Sequence, residues 1–309
     1  MRRTLTSLFA ALSLSALLAT AGLGAIAAGA TSAPVLPTVK GAFGAAPRLS
    51  FPSSHAPSSF EAKALHQGNG QVVKKGDLLV ANYFGQIWGG KVFTSSFGQG
   101  IQGFPIGVGQ VIPGWDKGLV GAKVGSRMLL VLPPAEGYGP SGQSAAGITG
   151  TSTLVFVVDV LHVYAKTVAG QKNAAVQHST VGGVTVHGKL GSAPTITITK
   201  GAAQPSKVTA TVIAKGTGPK AKAGLIVLQY VAVNWTGAAA GSTWQIGTPD
   251  AQPIGVASAP NPLDVLVGIP IGSRVLVQLP KTAATSTSAA QPAYAVSFDL
   301  VAQPGSSPS

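Results

Sequence analysis

The chain repeats itself. Leu78–Tyr83 (LLVANY) resembles Leu225–Tyr230 (LIVLQY), and Pro105-Ile106-Gly107-Val108 returns unchanged as Pro253-Ile254-Gly255-Val256. Val124-Gly125-Ser126-Arg127 returns as Ile271-Gly272-Ser273-Arg274, Gly68-Asn69-Gly70 resembles Gly216-Thr217-Gly218, and Ala46–Phe51 resembles Ala193–Ile198. The pairs keep their order about 147 residues apart. One such match arises by chance; five in register argue for a duplication and confine the chain to two similar units in tandem.

Each unit reads as mostly β. Phe60–His66, Leu78–Ile87, Val92–Phe97, Arg127–Leu132 and Thr153–Val163 are β-branched or aromatic runs bounded by Gly and Pro. Pro113 suits a first helical position, where its missing N–H would be unbonded anyway, so Gly114–Val120 is predicted to form one or two helical turns ended by Gly121. The expected class is α+β: a curved antiparallel sheet with a short helix packed on one face. With 45% hydrophobic residues a core is attainable, although only 9% of residues are charged. Residues 60–164 form the first unit and 207–302 the second. Residues 31–59, rich in Pro, Ser, Ala and Gly, and residues 165–206 read as linkers. Gln303–Ser309 reads as a frayed tail.

Several chemistries are unsupported. Without cysteine, disulfides and thiolate chemistry are excluded. The five histidines lack ligand spacing, and the eight acids form no paired-carboxylate motif, so no metal and no cofactor is expected. Gly98-Gln99-Gly100-Ile101-Gln102-Gly103 satisfies G-x-G-x-x-G, but Phe104-Pro105 follows it instead of a helix, so it reads as a flexible loop. The net charge of +13 suits peripheral association with an anionic cell envelope. Nucleic acid is disfavoured, because the lysines are scattered and not interleaved with aromatics. Arg2 and Arg3 precede an apolar stretch from Leu5 to Leu23, and Ala28-Gly29-Ala30 fits a small-x-small cleavage pattern. Residues 1–30 therefore read as a signal peptide of a secreted or envelope-associated protein; left uncleaved, the stretch would tether the chain to a membrane.

What remains is an aromatic constellation. Tyr83, Phe93, Phe104, Trp115, Tyr138 and Phe156, joined by Val111 and Ile112, are spaced to converge on one concave apolar site, with Tyr138 among glycines and prolines at its rim. The pieces V-K-K-G-D, G-K-V-F-x-S-S, V-I-P-G-W and T-L-V-F, in one order over about 95 residues, resemble the FKBP-type peptidyl-prolyl cis–trans isomerases. The resemblance implies that family's curved sheet wrapped on a short helix. It implies a proline pocket floored by Trp115 and formed by Tyr83, Phe93, Ile112, Tyr138 and Phe156, with Thr94, Phe104, Val111 and Ile148 also contacting substrate. The Ile112 N–H and the Tyr138 hydroxyl would bind substrate carbonyls. The implied partners are proline-containing unfolded or exported polypeptides and a macrolide inhibitor. Two departures stand out: Thr94 replaces an acid usual in the family, and Ile148-Thr149-Gly150 replaces I-P-P, predicting a more mobile loop. The alternative reading is a non-catalytic extracytoplasmic chaperone, or a proline-peptide or macrolide binder. The second unit keeps Tyr230 but loses most of the pocket, so it reads as a degenerate, catalytically silent copy.

Overall fold

The computed structural model describes residues 35–53, 55–256, 261–284 and 289–305. The expected signal peptide, the Ala259-Pro260 pair and the end of the tail lie outside them. In chain order the first unit comprises β1 (Thr38–Lys40), β2 (Arg48–Ser50), β3 (Glu61–His66), β4 (Leu78–Ile87), β5 (Val92–Ser95), β6 (Gln102–Pro105), α1 (Pro113–Leu119), β7 (Arg127–Leu132) and β8 (Leu154–Tyr164). The main sheet runs β3-β7-β8-β4, all antiparallel. β4 is long enough to hold two partners on its free edge, β6 along Leu78–Ala81 and β5 along Phe84–Gln86. β6 takes in only Gln102 and Gly103 of the G-x-G-x-x-G stretch; Gly98–Ile101 lie in a turn and loop ahead of it.

β7 is buried at every position and β8 at nearly every one, so both faces of the sheet must be covered. The helix covers one, where Trp115 and Leu119 pack with Leu79, Leu130, Leu132, Leu154 and Val158. Glycines 114 and 118 bring α1 against Leu132 and Leu130 more closely than any side chain would allow. The other face is covered by the supposed linker. The β1–β2 hairpin lays Leu36, Val39, Leu49 and Phe51 over Leu129, Val131, Val155 and Val157, together with Trp88. Arg127, 2% exposed, pins it in place. Its guanidinium makes a two-point pair with Asp159 (2.6 and 2.7 Å) and donates to the Gly41 and Ala45 carbonyls (2.6 and 2.7 Å). Gly44 N–H donates to the same aspartate. The charge is thus removed from water with four of its five N–H donors bonded, the condition under which a buried pair is tolerable. Residues 35–53 are consequently an ordered cap, correcting the linker assignment there.

The second unit comprises β9 (Ala175–Val176), β10 (Thr180–Val181), β11 (Val184–His187), β12 (Thr195–Ile198), β13 (Thr209–Lys215), β14 (Gly224–Asn234), β15 (Ala239–Ser242), α2 (Thr243–Ile246), β16 (Asp250–Ile254), β17 (Arg274–Leu279) and β18 (Tyr294–Ala302). Its sheet order, β13-β17-β18-β14 with β15 and β16 both on β14, matches the six strands of the first unit's sheet, and β9 adds a seventh on the edge of β13. The internal bonds match too. Gly68 and Gly216 each donate to a serine hydroxyl, Ser126 and Ser273 (2.9 Å both). Arg274 pairs with Asp299 at 2.6 Å and donates to the Ser192 carbonyl, as Arg127 does with Asp159 and Ala45. Trp88 and Trp235 each give their indole N–H to a backbone carbonyl at 3.0 Å. Residues 165–206 are therefore no more a linker than 35–53. The β11–β12 hairpin packs Val184, Val186 and Ile196 on Ile213, Leu276 and Ala295, and T-V-H-G-K-L-G-S-A-P repeats T-V-K-G-A-F-G-A-A-P of the first cap. The start of the supposed tail is also held: the Gln303 side chain exchanges hydrogen bonds with the Lys222 backbone in both directions (2.8 and 2.6 Å).

Candidate active site

Five rings from five elements meet on the helix-bearing face. Trp115, in the first turn of α1 and 4% exposed, lies under the others. Its centroid is 4.7 Å from Phe104 (β6), 5.3 Å from Phe156 (β8) and 5.6 Å from Tyr83 (β4). Tyr83 touches Phe104 at 5.4 Å, and Phe93 (β5) touches Phe156 at 5.5 Å. All five contacts are edge-to-face, the arrangement that ring quadrupoles favour, each contributing about 0.5–1.5 kcal/mol beyond area burial. The interlocked rings form a preorganised apolar wall. Tyr83, Phe93, Phe104, Val111 and Ile112 are half-buried, each packed on the core with its other side free.

Proline and glycine chemistry places the remaining parts. Pro113 starts α1 and leaves Ile112 extended at its N-cap (φ −61°, ψ 146°). The Asp116 carboxylate accepts from Gly107 and Gly109 N–H (2.6 and 2.7 Å), tying down the loop that leads to Val111 and Ile112. The Tyr83 hydroxyl donates to Gln102 Oε1 at 3.2 Å. Tyr138, 38% exposed, sits at the rim. Burial, and then the neighbouring Tyr83, push its pKa above the usual 10.0, so it stays a neutral O–H donor at physiological pH. The indole N–H of Trp115 is buried and has no hydrogen-bond partner among the described residues.

Ile148 and Thr94 complete the set of expected site residues. Ile148, 3% exposed like Phe156, belongs to the same core cluster as Trp115 and Phe156. The loop around it is braced, correcting the expected mobility: Gln143 and Ile148 exchange backbone bonds (2.8 and 3.1 Å), and Thr149 N–H donates to Ser152 Oγ (2.9 Å). Glycines 142 and 150 let the strands of this loop cross where a Cβ would overlap backbone. Thr94 is half-buried and pairs with Gly85, beside Phe93. Gly85 and Asp116 escaped the sequence reading. A Cβ at Gly85 would lie 2.7 Å from both Phe93 Cζ and Thr94 Cγ2 and 2.9 Å from Phe156 Cε1, so glycine there is what lets the two rings meet. A glycine inside an otherwise bulky strand was the available signal.

In the second unit the same register places Ala240, Gln252, Leu263 and Val296 where the first has Phe93, Phe104, Trp115 and Phe156. Asp250 stands where Gln102 does; burial raises its pKa, opposed by bonds from Gln252 and Ala251 N–H. Burial and Asp250 push Tyr230 up to about 12. No aromatic wall remains there. Among the described residues, no three His, Asp or Glu side chains are grouped to hold a metal.

The profile of the FKBP-type peptidyl-prolyl cis-trans isomerase family matches residues 70–161. The chain is 35% identical to the FK506-binding protein of Streptomyces anulatus over 119 residues, 38% of this chain and 96% of that protein. It is 46% identical to peptidyl-prolyl cis-trans isomerase FKBP15-1 of Arabidopsis thaliana over 91 residues, 29% of this chain and 58% of the relative. Among solved structures, FkpA from Escherichia coli aligns over 34% of this chain and 47% of its own, at 38% identity and a TM-score of 0.31. The matched stretch is the unit that carries the rings, and the chain belongs to the FKBP-type peptidyl-prolyl cis–trans isomerases.

Proposed function

We propose that the first unit accelerates rotation of X–Pro bonds in exported polypeptides by a non-covalent mechanism in its aromatic cleft, and that the second unit is a degenerate, catalytically silent copy. The observation that carries this is the interlocked set of Tyr83, Phe93, Phe104, Trp115 and Phe156, with a neutral tyrosine hydroxyl at its edge. Resonance opposes amide rotation by about 18–20 kcal/mol. The planar amide carries separated charge, and a dry apolar cleft solvates that form poorly. The twisted amide, with less charge separation, loses less on entering. Donors aimed at the twisted geometry, the Ile112 N–H and the Tyr138 hydroxyl, lower the barrier further. The proline ring rests over Trp115, and rotation needs no proton transfer and no covalent bond.

The test is a protease-coupled proline-peptide assay on the whole chain, with Trp115→Leu and Tyr138→Phe beside it. Acceleration by the wild type that falls at least tenfold in Trp115→Leu supports the reading. A correctly folded wild type that binds proline peptides without accelerating them would favour the non-catalytic binder, which the replacement of the family's acid by Thr94 favours. The export assignment rests on residues 1–30 and the envelope association on the net charge of +13. Fractionation of expressing cells tests both: protein confined to the cytosol would refute them.

A further inference from the structure

β6 has two faces with different partners. Gln102 and Phe104 face the cleft, Gln102 accepting from the Tyr83 hydroxyl (3.2 Å) and Phe104 packing on Tyr83 and Trp115 (5.4 and 4.7 Å). Gly103, between them, faces the opposite way. There it meets the second unit: a Cβ on Gly103 would overlap the Cβ of Ala251 on β16 and lie 3.4 Å from Leu78 Cδ1. Gly103 pairs with Val80 and Ala251 with Val227. Leu78 and Val80 alternate with the core residues Leu79 and Ala81, as Val227 does with Ile226 and Leu228; all three face away from their own unit's core, yet each is fully buried. Around this contact Gly76 lies against the Gly247 carbonyl. Gln229 donates to the Lys166 and Val168 carbonyls (3.3 and 3.0 Å), and Lys166 N–H donates to Asp77 Oδ1 (3.3 Å).

Gly103 and Ala251 also hold the same position in the repeat, each two residues before the recurring Pro-Ile-Gly-Val. At this point the units meet through equivalent surfaces, the geometry of an isologous contact. β6 is only four residues long and is hydrogen-bonded on one side only, to β4. A short edge strand is the kind of element that opens most readily, whereas a binding wall must be held to roughly 0.5 Å.

From this we infer that the second unit is a buttress for the cleft of the first. Gly103 and Ala251 are positioning residues: the methyl of Ala251 fills the space behind β6 and fixes Phe104 and the Gln102–Tyr83 bond on its other face. This rests on the isomerase reading above and gives the silent copy a part in it. Neither residue touches substrate.

The test exchanges the methyl between the two sides in the full chain. Gly103→Ala forces β6 toward the cleft and is expected to raise KM and lower kcat/KM roughly tenfold. Ala251→Gly is expected to change kcat/KM by about twofold. In the double variant G103A/A251G one methyl again fills the gap, and kcat/KM is expected to return to within about threefold of wild type. The Trp115 indole N–H resonance, assigned with Trp115→Phe, should shift in Gly103→Ala and return in the double variant. Should Gly103→Ala fail to fold, Ala251→Val perturbs the same gap from outside the first unit and is expected to raise KM and shift the same resonance. Wild-type kinetics and an unmoved resonance in the single variants, or a double variant no better than Gly103→Ala, would overturn the buttress. An inactive wild type would refute the isomerase reading instead, and the indole resonance would still decide the buttress.

Discussion

Gly85→Ala puts the packing argument for the cleft at risk. The residue is buried in β4, opposite Thr94 on one side and Phe156 on the other. Its backbone is open to alanine, since its φ is not positive. Removing a glycine from a strand interior should by itself stabilise by about 0.5–1 kcal/mol. Against that, the new methyl would sit 2.7 Å from Phe93 Cζ, 2.7 Å from Thr94 Cγ2 and 2.9 Å from Phe156 Cε1, where carbon atoms prefer about 3.5–4.0 Å. Thr94 can rotate; the two rings are locked against each other at 5.5 Å and, through Phe156, against Trp115 at 5.3 Å. Overpacking of this kind costs about 1–3 kcal/mol. The net is a loss of about 1–2 kcal/mol, which lowers the melting temperature by about 3–8 °C. Rings displaced into the cleft would narrow it, so kcat/KM should fall about tenfold, equivalent to about 1.4 kcal/mol of transition-state binding. A melting curve and the proline-peptide assay measure the two effects. A variant as stable and as active as wild type would show that the wall has slack and that glycine at this position is incidental.

Three other expectations follow from the geometry. Asp159→Ala strands the Arg127 guanidinium in the interior and frees the cap hairpin; it should cost about 3–5 kcal/mol in denaturant unfolding, and a loss under 1 kcal/mol would show that the pair is solvated. Burial lowers the pKa of His162 below 6.5, so the unfolded chain takes up the proton first. Stability from this group is complete above pH 6.5 and declines as the pH falls below it; the acid limb of the stability profile should flatten in His162→Leu. Tyr138 is held above 10.0, so isomerase activity should show no alkaline limb from this hydroxyl below pH 10. Tyr138→Phe should lower kcat/KM several-fold at every pH up to that point, and an unchanged value would remove the hydroxyl from the mechanism.

The strands of the sheet were legible because long β-branched runs such as Leu154–Tyr164 have few other uses, and the helix because Pro113 marks its start. The two caps were not. T-V-K-G-A-F-G-A-A-P-R-L-S reads as turn residues, and what orders it is remote: Arg127 lies 86 residues from Gly41, whose carbonyl it holds. Nor could the sequence pair Arg127 with Asp159, because that partnership is made by the register of β7 on β8. The near-continuous apolar character of those two strands is the trace that the second covering layer leaves in the sequence. The rings of the cleft were legible as types and their convergence was expected, but Gly85 and Gly103 matter only through what lies opposite them, and a single chain does not reveal that.

The likeness of the two units supplies an internal control for the proposed site. Both units share the sheet order, the serine that caps the glycine turn, the buried arginine–aspartate pair, the aspartate that receives a glycine N–H, and the tryptophan that anchors the cap. Features present in both halves are the requirements of the fold. Trp115, Phe104, Phe93 and Phe156 fall outside that set: Leu263, Gln252, Ala240 and Val296 occupy their places, and the second unit still closes a core around Tyr230, Leu263 and Phe298. Those four aromatics are therefore dispensable for folding this architecture, and a purely structural account of them is insufficient. Grafting the four onto the second unit should then create a cleft only if Asp250 is also made glutamine, because a carboxyl in the Gln102 position cannot present the same uncharged acceptor to Tyr230 once ionised. A graft with Asp250 retained that gains full proline-peptide turnover would refute this division between fold and site.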